Sequence, residues 1–249
     1  MRKLIFTILI AAGCLQAAAE RTVPFFDTSR PDKVIALGLR AGMNSSGVAT
    51  NYMDKQPELI QSNFYWHSGV QVGAIADLSI RKFLAIEVGL FWERHGYDAA
   101  MMAAEEDYMG SQFTRVRYND IHIPVLMSWR FNILPQAVWS VDLGPYFSYG
   151  LSGTKKADSY IAFGEEDGQL VFDHNISNQK YFKADPKDFL AVNRFDAGLK
   201  VGTGLAFFSH YTISVYYQRS VKNNAKDFDG GADYRLRNCS WSVNIGYNF

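Results

Sequence analysis

A chain of 249 residues, 48% hydrophobic and 15% aromatic, is long enough for one large domain or one closed barrel. Its 25 basic and 25 acidic residues balance, which leaves no basic excess to hold nucleic acid. Two cysteines, one of them near the N-terminus, exclude a disulfide framework.

The N-terminus reads as a secretory leader. Arg2 and Lys3 give a positive start, Leu4 to Ala12 give a short apolar run, and Ala17-Ala18-Ala19 supplies the small residues a signal peptidase reads before Glu20. The apolar run is too short for a membrane helix, which needs roughly 20 residues. The expected organisation is a signal peptide over 1–19, a short periplasmic segment over 20–33 and a barrel domain over 34–249. A rival reading takes Ala11-Ala12-Gly13-Cys14 as a lipoprotein box with Cys14 lipidated. If Cys14 leaves with the leader, only Cys239 remains and no intramolecular disulfide can form.

Beyond the leader the pattern is alternation with period two, the mark of a strand with two unlike faces. In chain order the apolar sets are Ile35 to Met43, Val70 to Ile80, Leu84 to Trp92, Ile121 to Phe131, Trp139 to Leu151, Phe195 to Phe207, Tyr211 to Tyr217 and Trp241 to Phe249. That makes eight strands. Tight connections fall at 80–83, 132–136 and 208–210, and long ones are expected at 44–66, 95–116, 152–192 and 220–238. Alternation of short and long connections with an even strand count is the habit of an outer-membrane barrel.

The faces separate a membrane barrel from a soluble one. The apolar frames hold no charged residue, whereas the opposite frames hold Arg40, Asp77, Glu87, Glu93, Arg130, Asp142, Asp196 and Lys200. Greasy outside and charged inside is the order a bilayer demands, because Arg or Lys at the lipid midplane costs roughly 2–4 kcal/mol. The fold class expected is therefore all-β: an eight-stranded antiparallel up-and-down transmembrane barrel in the bacterial outer membrane. Trp129, Trp139 and Phe249 near the tight turns, and Trp92 and Trp241 near the long loops, are expected to form aromatic girdles in the surrounding lipid. Many glycines on the inward face suit a narrow lumen, so the eight inward charges are expected to pair there and leave little or no pore.

Several blocks then resemble a family: Gly38-Leu39-Arg40-Ala41-Gly42-Met43-Asn44, Gly69-Val70-Gln71-Val72-Gly73, and Ile121-His122-Ile123-Pro124-Val125-Leu126. Further along come Leu143-Gly144-Pro145-Tyr146-Phe147, Phe195 to Gly202, and the closing Ile245-Gly246-Tyr247-Asn248-Phe249. From about residue 34 onward the chain resembles the PorT-like, or "porin family", outer-membrane β-barrel proteins of Bacteroidetes-type bacteria. The resemblance implies a barrel fold and an outer-membrane location. It also implies that the C-terminal strand ending in Phe249 is read by the barrel-insertion machinery, although Gly246 lies closer to the terminus than in the usual pattern. One branch of the family serves type IX secretion, so a secretion component is one functional alternative.

A lipid-modifying enzyme is another, since His67 and His95 lie toward the long-loop edge with Ser68 and Glu93 nearby in sequence. No spacing fixes these as a triad, and the expectation is no catalytic residue, no metal and no cofactor. His122 is expected inside as a hydrogen-bonded residue, and His174 and His210 carry no pattern. The acidic runs 165–168 and 227–233 lack calcium-loop spacing and read as solvated loops. The long segment 152–192 mixes charges with Tyr160, Phe163, Phe172, Tyr181 and Phe182, and suggests recognition of an extracellular protein or glycan.

Overall fold

The computed structural model describes residues 23–51, 59–105, 108–166, 169–184, 190–226 and 234–249. The expected leader, Cys14 included, and the acidic run 227–233 lie outside the described residues, as do Asp167, Gly168 and the side chains of Glu165 and Glu166.

Among the described residues nine strands form one antiparallel sheet: β1 (Ile35–Thr50), β2 (Leu59–Arg81), β3 (Leu84–Glu105), β4 (Tyr108–Leu134), β5 (Ala137–Glu166), β6 (Gln169–Lys180), β7 (Phe195–Phe207), β8 (Tyr211–Ser220) and β9 (Leu236–Asn248). Eight of them close a ring, β1-β2-β3-β4-β5-β7-β8-β9, sealed where β1 pairs β9 from Gly38↔Asn248 to Thr50↔Leu236. Closure leaves no unpaired edge at membrane depth, which is the condition for strands to cross lipid. No helix among the described residues is long and apolar enough to cross a membrane, a fact that does not bear on strands.

Alternation translates directly into sidedness. Leu39, Val72, Leu90, Leu143, Leu199, Val243 and Ile245 stand exposed on the outer wall, while Arg40, Gln71, Asp142, Lys200, Ser242 and Asn244 are buried inside. The inward glycines make room for more than charged side chains. A Cβ on Gly73 or Gly89 would meet the Phe91 ring at 2.5 Å, and one on Gly198 would meet the Tyr146 ring at 2.6 Å. Buried Phe91, Leu126, Ile75, Tyr146 and Tyr216 therefore form a waist across the lumen.

The long connections are not the loops that alternation suggested. Segment 95–116 is almost entirely strand, with two residues between β3 and β4, and 152–192 is the upper half of β5 followed by the returning β6. Segments 44–66 and 220–238 are also partly strand, from the ends of β1, β2 and β9. At 30 residues β5 is about three times the length a tilted membrane strand needs. Its lower half pairs with β7, and above Gly150 its free edge pairs with β6 instead. The upper parts of β2, β3, β4 and β5, with β6, thus rise as a wall from one side of the barrel.

At the tight-turn end the N-terminal segment folds back onto the wall. Phe25 stacks on Phe131 at 5.1 Å and Phe26 packs on Phe83 at 4.3 Å, while Lys82 lies 3.3 Å from Asp32. Ser29 donates to the Asp27 carboxylate from its hydroxyl and from its amide, the latter at 2.9 Å, and these hydrogen bonds, the hydroxyl's first, lower the carboxyl below the ordinary range.

Candidate functional site

Three polar levels stack inside the barrel below a cap. At the turn end a vestibule of about 460 Å³ is lined by Arg40, Asp77, Glu87, Arg130 and Asp142. There Arg130 of β4 forms an ion pair with Asp77 of β2 over the intervening β3, and the Tyr216 hydroxyl donates to Asp142 at 3.0 Å. At the middle level Lys200, 2% exposed, holds its ammonium over the rings of Tyr216 at 5.2 Å and Phe91 at 5.6 Å. It lies 4.0 Å from Glu93 and 3.4 Å from Nε2 of His122.

The upper level is the densest. β3 carries Glu93 and His95 two residues apart, so both face inward, and register sets Asp120 of β4 directly opposite Glu93. His95 Nε2 lies 2.8 Å from Glu93 Oε2 and 3.6 Å from Asp120 Oδ1. All three side chains are buried, Glu93 completely. Nearby, Asp196 accepts from Ser220 at 2.6 Å and Asn238 at 3.0 Å. Asp120 was absent from the inward charges singled out in the sequence, although the same alternation places it there. Its neighbour His95 was considered only as a rim residue, whereas it points into the lumen.

Above this level the mouth is closed. Tyr97, Tyr118, Tyr181, Phe182, Leu190, Val192 and Leu236 pack as one apolar cluster, and the Tyr97 and Tyr181 hydroxyls share a hydrogen bond at 3.0 Å. The cap is built from the returning chain after β6 and the approach to β9. Between cap and triad lies a small chamber of about 20 Å³, with His95, Asp120 and Asp196 in its lining. That is room for about one water molecule.

Other residues fall as follows. His67 and Ser68 lie on β2, and no side-chain hydrogen bond or ion pair joins either to the triad among the described residues. His174 pairs with Asp158 at 2.7 Å on the wall, and His210 in the β7–β8 turn donates from Nδ1 to the Asn248 carbonyl at 2.8 Å. Trp92 and Trp241 stand on the outer face toward the wall end, the latter 4.8 Å from Tyr217. Trp129, Trp139 and Phe249 lie toward the turn end, where Trp139 packs 5.2 Å from Phe131.

A closed ring that is apolar outside and ionic inside defines an integral outer-membrane barrel, with periplasmic turns and extracellular hairpins. The chain belongs to the family described as "Outer membrane protein beta-barrel domain", whose model matches residues 22–226, and it is a bacterial outer-membrane protein. No curated protein sequence matches it. Among solved structures it is similar to Ail, the attachment invasion locus protein of Yersinia pestis, in complex with the heparin analogue sucrose octasulfate. That match has 15% identity and a TM-score of 0.35, and covers 87% of this chain and 100% of Ail. OprG from Pseudomonas aeruginosa is 11% identical with a TM-score of 0.38, covering 91% of this chain and 99% of OprG. Neisserial surface protein A is 10% identical with a TM-score of 0.34, covering 86% and 97%.

Proposed function

We propose that this protein is a non-enzymatic surface-recognition barrel whose lumen is closed to conduction and whose extracellular wall binds anionic glycans. The observation that carries the reading is a groove of about 530 Å³ beside the wall, lined by Arg94, Arg117, Lys180, Lys183 and Arg194, with no carboxylate among the described residues of its lining. Arg94 stands two residues above lipid-facing Trp92 on β3, so the groove opens just above the greasy belt. Arg117 is tied to Asp98 at 2.7 Å, and Arg194 donates to the Gly150 carbonyl at 2.7 Å over the Phe182 ring. Arg94, Lys180 and Lys183 make no ion pair among the described residues. Unpaired cations converging on one concave surface attract phosphate or sulfate groups.

A catalytic reading has less support, because Glu93 and His95 sit beneath the cap, away from both lipid and bulk solvent. Nothing in the geometry favours a PorT-like secretion role over recognition.

Binding of dextran sulfate to the purified barrel in nanodiscs tests the reading. The triple variant Arg94→Ala, Lys180→Ala, Lys183→Ala should bind at least about tenfold more weakly, with a shallower salt dependence. Equal binding of uncharged dextran, or unchanged binding by the variant, would sink the glycan assignment. In planar bilayers the wild-type barrel should pass no stable large current, since the waist and the cap both block the lumen. Steady single-channel steps would refute the closed lumen.

A further inference from the structure

Below the cap the described interior holds six carboxylates, Asp77, Glu87, Glu93, Asp120, Asp142 and Asp196, against three fixed cations, Arg40, Arg130 and Lys200. The deficit is greatest at the upper level. At the turn end Asp77 has Arg130 to meet it, but at the upper level Glu93, Asp120 and Asp196 have one fixed cation, Lys200, which approaches Glu93 alone at 4.0 Å, and His95 between Glu93 and Asp120. Arg194 stands above with its guanidinium committed to the Gly150 and Leu151 carbonyls. Buried carboxylates without countercharge are costly, so a positive partner is called for at this level.

A second, independent observation locates it. Glu93 Oε1, His95 Nδ1 and Asp120 Oδ1 are buried atoms with no hydrogen-bond partner. Buried polar atoms without a partner usually mark a water or an ion, and of these three Asp120 Oδ1 is the one that faces His95 Nε2, at 3.6 Å. One ligand atom from each of Glu93, His95 and Asp120 lies within 4.8 Å of the others. Ligands held at 2.0–2.2 Å around a tetrahedral ion stand roughly 3.3–3.6 Å apart. The His95–Asp120 separation of 3.6 Å already meets that spacing, and the His95–Glu93 separation of 2.8 Å would open by about half an ångström or somewhat more.

We infer that Glu93, His95 and Asp120 form a binding site for one divalent transition-metal ion, with a water in the adjoining chamber as its remaining ligand. One imidazole and two carboxylates make a mixed nitrogen–oxygen set that suits zinc, cobalt or manganese better than a hard, oxygen-only ion. Lys200 would hold the second oxygen of Glu93, and His122 beyond it completes the polar surround. Three ligands on two adjacent strands would brace β3 to β4 at the level where the cap rests on the barrel. This inference is independent of the basic groove, which lies on the outer face.

Cobalt titration of the metal-stripped, refolded barrel in detergent is the test. Wild type should take up one Co²⁺ per chain with visible d–d absorption, and zinc should displace it and raise the melting temperature. Asp120→Asn and His95→Ala should each lose the absorption and the stoichiometric uptake. Heat-modifiable gel migration checks that each variant is folded, and Asp120→Asn is the near-isosteric change for which folding is expected. Wild-type barrel that takes up no stoichiometric Co²⁺ or Zn²⁺ overturns the inference. Equal uptake by wild type and a folded Asp120→Asn variant also overturns it.

Discussion

Replacing Lys200 with Met is expected to lower the unfolding free energy by about 3–5 kcal/mol, the range for removing one partner of a buried ion pair. Lys200 is the fixed cation of the middle lumen, and its loss leaves the wholly buried Glu93 with His95 alone beside it. Met keeps most of the volume between Phe91 and Tyr216, so the loss reports charge rather than a cavity. The double variant Lys200→Met, Glu93→Gln should recover much of the deficit, because the uncompensated charge goes with it. Urea unfolding in lipid vesicles, followed by tryptophan fluorescence, provides the measurement. A single variant within about 0.5 kcal/mol of wild type would show that the lumen does not depend on this cation.

One residue along, the opposite face gives the second large effect. Val201 lies mid-strand in β7, exposed on the outer wall between Leu143 and Tyr217. Val201→Lys is expected to cost about 2–4 kcal/mol in the same unfolding assay, because an ammonium would sit among acyl chains near the midplane. Val201→Leu is the control and should be close to neutral. If lysine is tolerated as readily as leucine, that wall does not face hydrocarbon. The pair of experiments thus assigns opposite demands to two consecutive side chains.

What could be read from the sequence follows the same physics. Where one face meets lipid and the other a packed lumen, contrast between alternate residues is strong, and the eight ring strands are legible. Above the membrane both faces meet water or protein, and the contrast fades. Residues 99–104, Ala-Ala-Met-Met-Ala-Ala, have no period of two, yet they are strand. The same loss hid β6, whose residues 173–180 are mostly polar on both faces. The triad needed register as well as alternation. With two residues between β3 and β4, Glu105 pairs with Tyr108, and counting back puts Glu93 opposite Asp120. An expected 22-residue loop at 95–116 erased that count. The cap was out of reach, because Tyr97, Tyr181, Leu190 and Leu236 come from segments far apart in the chain that meet only once the ring has closed.

The seam between β1 and β9 sets the order of assembly. Every other junction of the ring joins strands close in sequence or linked by one hairpin, but this one brings Gly38 against Asn248. Such a distant pairing carries the largest loop-closure cost and forms last. A chain emerging from the ribosome therefore cannot close the ring until β9 has been made. It has to be kept unfolded through export, and only then can it zip shut in the target bilayer.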